Sequence, residues 1–442
     1  MSTVEVNDVF RTTAGNFYMP SVNTSVSLQT IYRVPDRIQQ ANEGAFKAYG
    51  PQVVTIGPYY HHEEFERHKE RYQKSILFRN RNHVLEDYHT AIVENEARSC
   101  YSGYVHPKGN EFVKMMVLDG CFIVELFLRE KEKKENKEKK PENEQSEEDP
   151  IFSTIWMLPL IRYDMLLLEN QIPFSVLKVI YEKASGGNGS LVELALDFFK
   201  PIIPNHEENE IKVSDHQINF NYFHLLHLFH SYLCPKGSNE ANETKLTINN
   251  SRPIKMIPCV TELQLAGVKF KKKKDFSSFL DVKFSGGVLE IPYFCIDDHT
   301  NTLLRNLVAL EQFCYPKVKT IHFTNYVGFM DCLINTSKDV ALLHRKGIID
   351  HLLGSDGHVA DLFNQLCYGI FNDFEDHNYL SGIYKDVDKY YNNPWKTRLA
   401  NLKSDYFTNP WASLSSAAAV ILILLTFLQT FYAIFAYHRP GS

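Results

Sequence analysis

Between residues 31 and 405, apolar side chains recur mainly at the spacing of α-helices that pack one face against a core. The stretches "EFVKMMVLDGCFIVELFLRE" and "DMLLLENQIPFSVLKVIYEKA" are apolar on most sides, so we predict buried helices there, with a break near Pro173. Residues 1–30 show no such period and are expected to form a loose leader. The pattern therefore predicts a mainly α fold over residues 31–405.

The period changes to strict alternation over residues 279–294, in the sequence "FLDVKFSGGVLEIPYF". Leu280, Val282 and Phe284 share one face of an extended chain, and Gly286-Gly287 supplies the turn of a β-hairpin. The preceding "LAGVKFKKK" is a candidate third strand. These strands predict a small antiparallel β-sheet, which makes the fold class α+β.

Residues 130–150, "EKEKKENKEKKPENEQSEEDP", form a low-complexity charged insertion between two predicted core helices. Side chains of this kind gain little from burial, so the segment is expected to be a solvated loop or a frayed helix.

The C-terminal segment has a different pattern, because no charged side chain occurs from Tyr406 to Tyr437. A bilayer span needs about 20 apolar residues, and an amphipathic core helix would show a polar stripe that is missing here. We predict a transmembrane helix over residues 411–437, with aromatic side chains near both interfaces. The residues expected to anchor it are Trp411, Leu422, Leu425, Phe427, Phe431 and Tyr437.

Composition adds limits to this picture. The chain has a net charge of −6, 44% hydrophobic residues and 13% aromatic residues, so it can build a large core and is not a general polyanion binder. Eight cysteines without a C-x-x-C pair indicate ordinary thiols rather than a zinc ribbon or a disulfide scaffold. We therefore expect neither a metal, a cofactor nor a nucleic-acid partner.

Two observations bear on topology and point in opposite directions. The N-terminus lacks a signal-peptide pattern, and Lys396, Arg398 and Lys403 precede the predicted span, so we expect a tail-anchored protein with its large domain in the cytosol, at the plasma membrane. Five N-x-S/T sequons suit a large domain on the other side of the membrane. They lie at Asn23, Asn188, Asn242, Asn249 and Asn335.

Several segments, in this order, resemble one family: the plant proteins of unknown function grouped as DUF247, also called UPF0481. The segments include "IYRVP", "PQVVTIGPYYH", "DMLLLENQIPFSVL", "VTELQLAGVKFKKK" and "LKSDYFTNPWASLSSAAAVILILLTFLQTFY". The resemblance runs from about Ile31 to the end of the chain. It implies a land-plant protein with a C-terminal membrane anchor, and it supplies no established catalytic residues. Some grass members are implicated in self-incompatibility recognition, so the resemblance also allows a recognition role.

Polar residues within the apolar segments are the main candidates for chemistry. Asp119, Asp164 and Glu169 could act as an acid/base group in a pocket, because a buried carboxylate must be bonded or must take up a proton. The alternative is a structural network that caps helix ends, with Glu169 and Asn170 binding backbone groups near Pro173. The structural alternative is preferred.

Two further motifs allow both a structural and a functional interpretation. His224, His227 and His230 in "HLLHLFH" are spaced i, i+3 and i+6, which spreads them around a helix and makes a metal site an unfavoured interpretation. The basic run "KFKKKK" could contact anionic lipid or be a solvated strand edge that discourages aggregation. The lysines considered for lipid contact are Lys271, Lys272, Lys273 and Lys274.

These observations favour a membrane-anchored plant protein that is not an enzyme and acts through unknown protein partners. The alternatives are an enzyme that uses the three carboxylates and an extracellular recognition protein of the self-incompatibility type.

Overall fold

The structure is a computed structural model of the chain. It describes residues 29–40, 48–60, 65–137, 149–203, 218, 220–235, 255–276, 278–314, 318, 321–369, 378–393 and 410–438. The predicted leader lies outside these residues, apart from its last two positions.

The first half of the described chain is helical and is built around α5, a helix of 28 residues. Helices α2, α8 and α9 pack against α5, and its buried positions face several directions, as expected for a helix that is apolar on most sides. These helices are α1 (Asp36–Gln39), α2 (Glu66–Arg79), α3 (Leu85–Ala91), α4 (Glu94–Ser99), α5 (Asn110–Lys137), α6 (Pro150–Ser153), α7 (Met157–Asp164), α8 (Phe174–Ser185) and α9 (Leu191–Phe199).

The charged insertion begins inside α5 rather than after it, because the helix continues to Lys137. Ion pairs hold this end of the helix: Glu130 pairs with Arg162 at 3.0 Å, and Lys134 pairs with Asp197 at 2.9 Å. The first third of the insertion is therefore an ordered helix end. Residues 138–148 lie outside the described residues, so the loop itself stays a prediction.

The second half combines helices with short strands, and α14 packs on α15 beside the smaller sheet. Its helices are α10 (Leu225–Leu233), α11 (Val260–Leu265), α12 (Thr300–Cys314), α13 (His322–Leu333), α14 (Ser337–Arg345), α15 (Asp356–Leu366), α16 (Ser381–Tyr391) and α17 (Pro410–His438). Its strands are β1 (Lys269–Lys273), β2 (Lys283–Ser285), β3 (Val288–Pro292), β4 (Phe294–Ile296) and β5 (Ile349–His351).

The expected hairpin is present, since β2 pairs antiparallel with β3. Gly286 and Gly287 both have positive φ angles, 59° and 81°, which is the backbone of the tight hairpin turn that favours glycine. The expected third strand, β1, pairs with β3 in parallel, and β4 pairs with β5 in parallel. The fold is thus mainly helical with small sheets, and these sheets are mixed or parallel rather than antiparallel throughout.

Candidate functional site

Asp164 lies at the end of α7 and accepts three backbone N–H groups from one passing segment. Its carboxylate binds the N–H groups of Gln52, Val53 and Val54 at 2.9, 2.7 and 2.9 Å. Burial raises the pKa of Asp164 to about 6, although the three N–H groups favour the ionised form and oppose that rise. The acid therefore holds an extended segment against the core helices.

Asp119, in the middle of α5, binds the same segment a few residues further on. It accepts the N–H of Gly57 at 2.8 Å and the Lys69 ammonium at 2.6 Å, and both charged side chains are buried. Lys69 also donates to the carbonyl of Thr55 at 2.6 Å. Gly57 has φ +73°, and a Cβ there would lie 2.5 Å from the Gln171 carbonyl oxygen, so only glycine fits this close approach.

Glu169 binds two parts of the N-terminal region at once. Its carboxylate accepts the N–H of Val34 at 2.7 Å, the Gln39 amide at 2.9 Å and the Tyr60 hydroxyl at 2.8 Å. Burial and the negative charge of Glu169 raise the pKa of Tyr60, so the phenol stays protonated and keeps donating.

Asn170 binds backbone groups with both its amide oxygen and its amide nitrogen. Its Oδ1 accepts the N–H of Ile56 at 2.6 Å, and its Nδ2 donates to the carbonyls of Val54 and Asp164, both at 2.9 Å. After Asp164 the chain leaves the helical conformation, and α8 begins only after Pro173. Side chains therefore bind the backbone groups that a continuous helix would have paired.

We call Asp119, Asp164, Glu169 and Asn170 the core clamp. Most of their bonds go to separate points of residues 34–39 and 52–60, and Asp119 also binds Lys69. Neither of the two surface pockets described below is lined by a clamp residue. The geometry is what a structural network requires, because the acceptor oxygens already face donors of the protein itself.

The three histidines of "HLLHLFH" also have separate partners. His224 caps the start of α10 and faces the Thr30 carbonyl at 3.1 Å, and burial lowers its pKa to about 4. His227 accepts the N–H of Phe223 at 3.1 Å, and burial keeps its pKa well below the ordinary value. His230 points elsewhere, so the rings do not share one ligand.

His230 belongs to a thiol cluster that sequence reasoning missed. Its Nε2 lies 2.8 Å from the Glu311 carboxylate, and the Cys234 sulfur lies 3.8 Å from its Nδ1. Burial alone would raise the pKa of Cys234, but His230 and His322 lower it to about 7. The sulfur is almost equally far from Nε2, at 4.0 Å, so it is not aligned with one ring nitrogen for proton transfer. In the sequence, the i, i+4 spacing of His230 and Cys234 is the signal that could have indicated this cluster.

Comparison with known proteins gives a consistent result. The model of the family DUF247, described as "Plant protein of unknown function", matches residues 31–425. This chain belongs to the DUF247 family. The UPF0481 protein At3g47200 of Arabidopsis thaliana is 33% identical over 437 residues, which cover 92% of this chain and 86% of the relative. The putative UPF0481 protein At3g02645 of the same plant is 24% identical over 499 residues, which cover 92% of this chain and 90% of the relative. No solved structure matches significantly.

The lysine run of this DUF247 chain lies on and just after β1. Two of its ammonium groups, those of Lys272 and Lys273, contact other side chains of the protein. Lys273 pairs with Asp281 at 2.7 Å, and the Lys272 ammonium lies 4.6 Å from the centre of the Tyr293 ring. Lys271 and Lys274 are exposed. The positively charged surface that this run exposes to solvent is therefore smaller than the sequence alone indicates.

Helix α17 is the candidate membrane segment of this DUF247 chain. Residues Ala417–Phe435 are long and apolar enough to cross a bilayer, with a mean hydropathy of 2.2, and none of this stretch is buried by the residues that the structure describes. The hydroxyls of Thr426 and Thr430 each donate to the carbonyl four residues earlier at 2.8 Å, so they are satisfied within the helix. The predicted anchors Leu422, Leu425, Phe427 and Phe431 are all more than half exposed. Trp411 and Tyr437 lie within the helix, but their side chains are outside the description.

A surface pocket of about 780 Å³ is lined by residues of α2, α5 and α6. Arg79 and Arg129 line it, and both pair with the buried Glu125. Phe78 is 73% exposed and also lines a neighbouring pocket of about 350 Å³. Trp156, shortly after α6, is more than half exposed. Aromatic and arginine side chains of this kind are enriched at protein interfaces.

Proposed function

We propose that this DUF247 protein is anchored by α17 in the plasma membrane, with its helical domain in the cytosol, and acts by binding other proteins. The observation that carries the proposal is α17 itself: an apolar stretch of 19 residues, none of which is buried by the described part of the chain. Leaving that much apolar surface in water is unfavourable, and a bilayer removes the cost.

Binding is favoured over catalysis because the candidate acids are already engaged. Each of Asp119, Asp164 and Glu169 accepts bonds from backbone or side-chain donors. A general acid or base needs room for a substrate within hydrogen-bond reach. The exposed Phe78 instead supplies apolar surface at the edge of a charged pocket, which suits a protein partner.

Protease treatment of sealed plant microsomes tests the anchor and its orientation. We expect the intact chain to sediment with membranes and its large domain to be degraded from outside the vesicles. A variant that lacks residues 410–438 should be soluble. Sedimentation of the truncated variant with membranes would overturn the anchor.

Proximity labelling of intact cells tests the interaction surface. The variant Phe78→Asp should lose a reproducible set of labelled neighbours, and Tyr368→Asp, another exposed aromatic, serves as the matched control. Equal labelling by the wild type and both variants would exclude this surface.

The opposite orientation is a second candidate, because two sequons are accessible. Asn188 and Asn335 are both exposed, as a glycan requires, whereas the other three sequons lie outside the described residues. Protection of the large domain in the microsome assay, with a mass shift that an N-glycosidase removes, would replace the cytosolic orientation by the extracellular recognition role.

A further inference from the structure

Two histidines and an aspartate meet at the corner where α14, β5 and α15 follow one another. His344 is in the last turn of α14, His351 ends β5, and Asp356 opens α15 behind its N-cap Ser355. The pairing of β5 with β4 and the packing of α14 on α15 hold the three elements in place. We call His344, His351 and Asp356 the surface triad.

The triad has the spacing of a metal site. One ligand atom from each residue lies within 4.8 Å of the others, and His351 Nε2 is 2.9 Å from Asp356 Oδ1. Ligands around one zinc ion are roughly 3.4 Å apart, given bonds of about 2.0–2.2 Å in a tetrahedron. The His344 side chain is about half exposed, so a small rotation can close the remaining distance.

The hydrogen bond on the far side of His351 orients the ring for a cation. His351 Nδ1 lies 3.0 Å from the carbonyl oxygen of Leu353. A carbonyl only accepts, so Nδ1 donates to it, while Nε2 forms a 2.9 Å hydrogen bond with Asp356 Oδ1. A metal ion would take the place of the proton between Nε2 and that carboxylate, because metal ligands bind in their deprotonated form. Histidine ligands of metals commonly donate their other N–H to a backbone carbonyl in this way.

The local charge also favours a cation. Asp350 and Asp356 place two carboxylates beside the two imidazoles, and Asp350 Oδ1 lies 3.8 Å from His344 Nε2. Asp350 is exposed, so it can rotate to fill a fourth coordination position, as can water.

We propose that His344, His351 and Asp356 bind a zinc ion or a similar first-row divalent metal ion, independently of the proposed membrane and protein-binding roles. Imidazole and carboxylate are ligands that this class of metal accepts. The bound ion ties the end of α14 to β5 and the start of α15, three elements that lie within 13 residues of chain (344–356).

The test is a zinc titration of the full-length protein in detergent micelles, purified without a polyhistidine tag and treated with a chelator beforehand. Calorimetry should give one tight site per chain that EDTA reverses. Cobalt ions bound in place of zinc should give visible absorption bands, as expected for a site of low symmetry, and added zinc should remove these bands. Absence of saturable zinc binding by the wild-type chain would overturn the proposal.

Variants decide whether the triad is responsible. We expect His344→Ala and His351→Gln each to weaken zinc binding by about tenfold or more. The control is His89→Gln, on α3 in the other half of the molecule, and it should bind as the wild type does. Circular dichroism without metal checks that all variants fold. Unchanged affinity in the two folded triad variants would show that the ion binds elsewhere and would overturn the assignment.

Discussion

The core clamp and the surface triad are both clusters of polar side chains that contain aspartate, but their hydrogen-bond partners differ. In the clamp, Asp164 meets three N–H groups and Asp119 meets an ammonium and an N–H, so their lone pairs are occupied. In the triad, His351 and Asp356 face each other across 2.9 Å, and the exposed His344 lies beside them. A polar cluster is therefore available for a ligand when some of its members stay accessible to solvent, not because it is polar in an apolar setting.

Burial explains why the two regions differ. A carboxylate inside the core must be hydrogen-bonded or paired. Burying a neutral polar group without a partner costs on the order of 2–7 kcal/mol, and burying an unpaired charge costs more. In the triad, His344 and Asp356 stay partly exposed, so water can bind their remaining polar positions at little cost. The following experiments test this difference, from the largest expected effect to the smallest.

Removing the central acid of the clamp should have the largest effect. Asp164→Ala leaves three buried N–H groups without an acceptor, and we expect a loss of about 3–5 kcal/mol in stability. Asp386→Ala, at an exposed position of α16, is the matched control and should stay within about 0.5 kcal/mol. Urea unfolding followed by circular dichroism measures both. Similar midpoints for the two variants would refute the role of Asp164 in holding residues 52–54.

Acid should remove the stability that the buried histidines contribute, whereas Asp164, whose pKa is raised to about 6, acts in the opposite direction between pH 6 and its ordinary pKa. The pKa of His224 falls from 6.5 to about 4 on burial, so its contribution is present above pH 6.5 and is lost as the pH falls toward 4. The loss amounts to ~3 kcal/mol at the acid end, and His227 acts in the same direction.

The substitution His224→Asn isolates this effect, because asparagine can cap α10 without titrating. We expect the variant to lose less thermal stability than the wild type when the pH is lowered from 6.5 to 4. An unchanged pH dependence would assign the acid sensitivity to other groups.

Replacing one oxygen of the clamp should have an intermediate effect. Glu169→Gln keeps the shape but replaces one carboxylate oxygen by an amide NH₂, which faces either the Val34 N–H and the Gln39 amide or the Tyr60 hydroxyl, at a cost of about 1–3 kcal/mol. Glu182→Gln, exposed on α8, is the control. Thermal unfolding compares them, and wild-type stability of Glu169→Gln would mean that the clamp tolerates a lost acceptor.

The triad should give the smallest effect on stability in the absence of metal. His344→Ala removes a half-exposed side chain with one distant ionic partner, so we expect a change within about 0.5 kcal/mol. Thermal unfolding in the presence of a chelator measures it. A large loss would make His344 a structural residue and would weaken the contrast with the clamp.

Several features were readable from the sequence because they depend on local pattern. The mainly helical core, the turn at Gly286-Gly287 and the apolar stretch of α17 all follow from residues that are neighbours in the chain. Helix and hairpin periods are local, and a run of apolar residues long enough for a bilayer needs no tertiary partner to be recognised. The segments that resemble DUF247 likewise led to the family that the comparisons show.

Other features were decided by residues far apart in sequence. The pairing of β1 with β3 is parallel, α5 continues into the charged insertion because Arg162 and Asp197 pair with its end, and Glu311 reaches His230 from 81 positions away. Asp164 and Glu169 of the clamp bind residues more than 100 positions away. Hydrogen-bond partners of buried groups depend on which segments the packed core brings within about 3 Å, and periodicity along the chain carries no record of that distance.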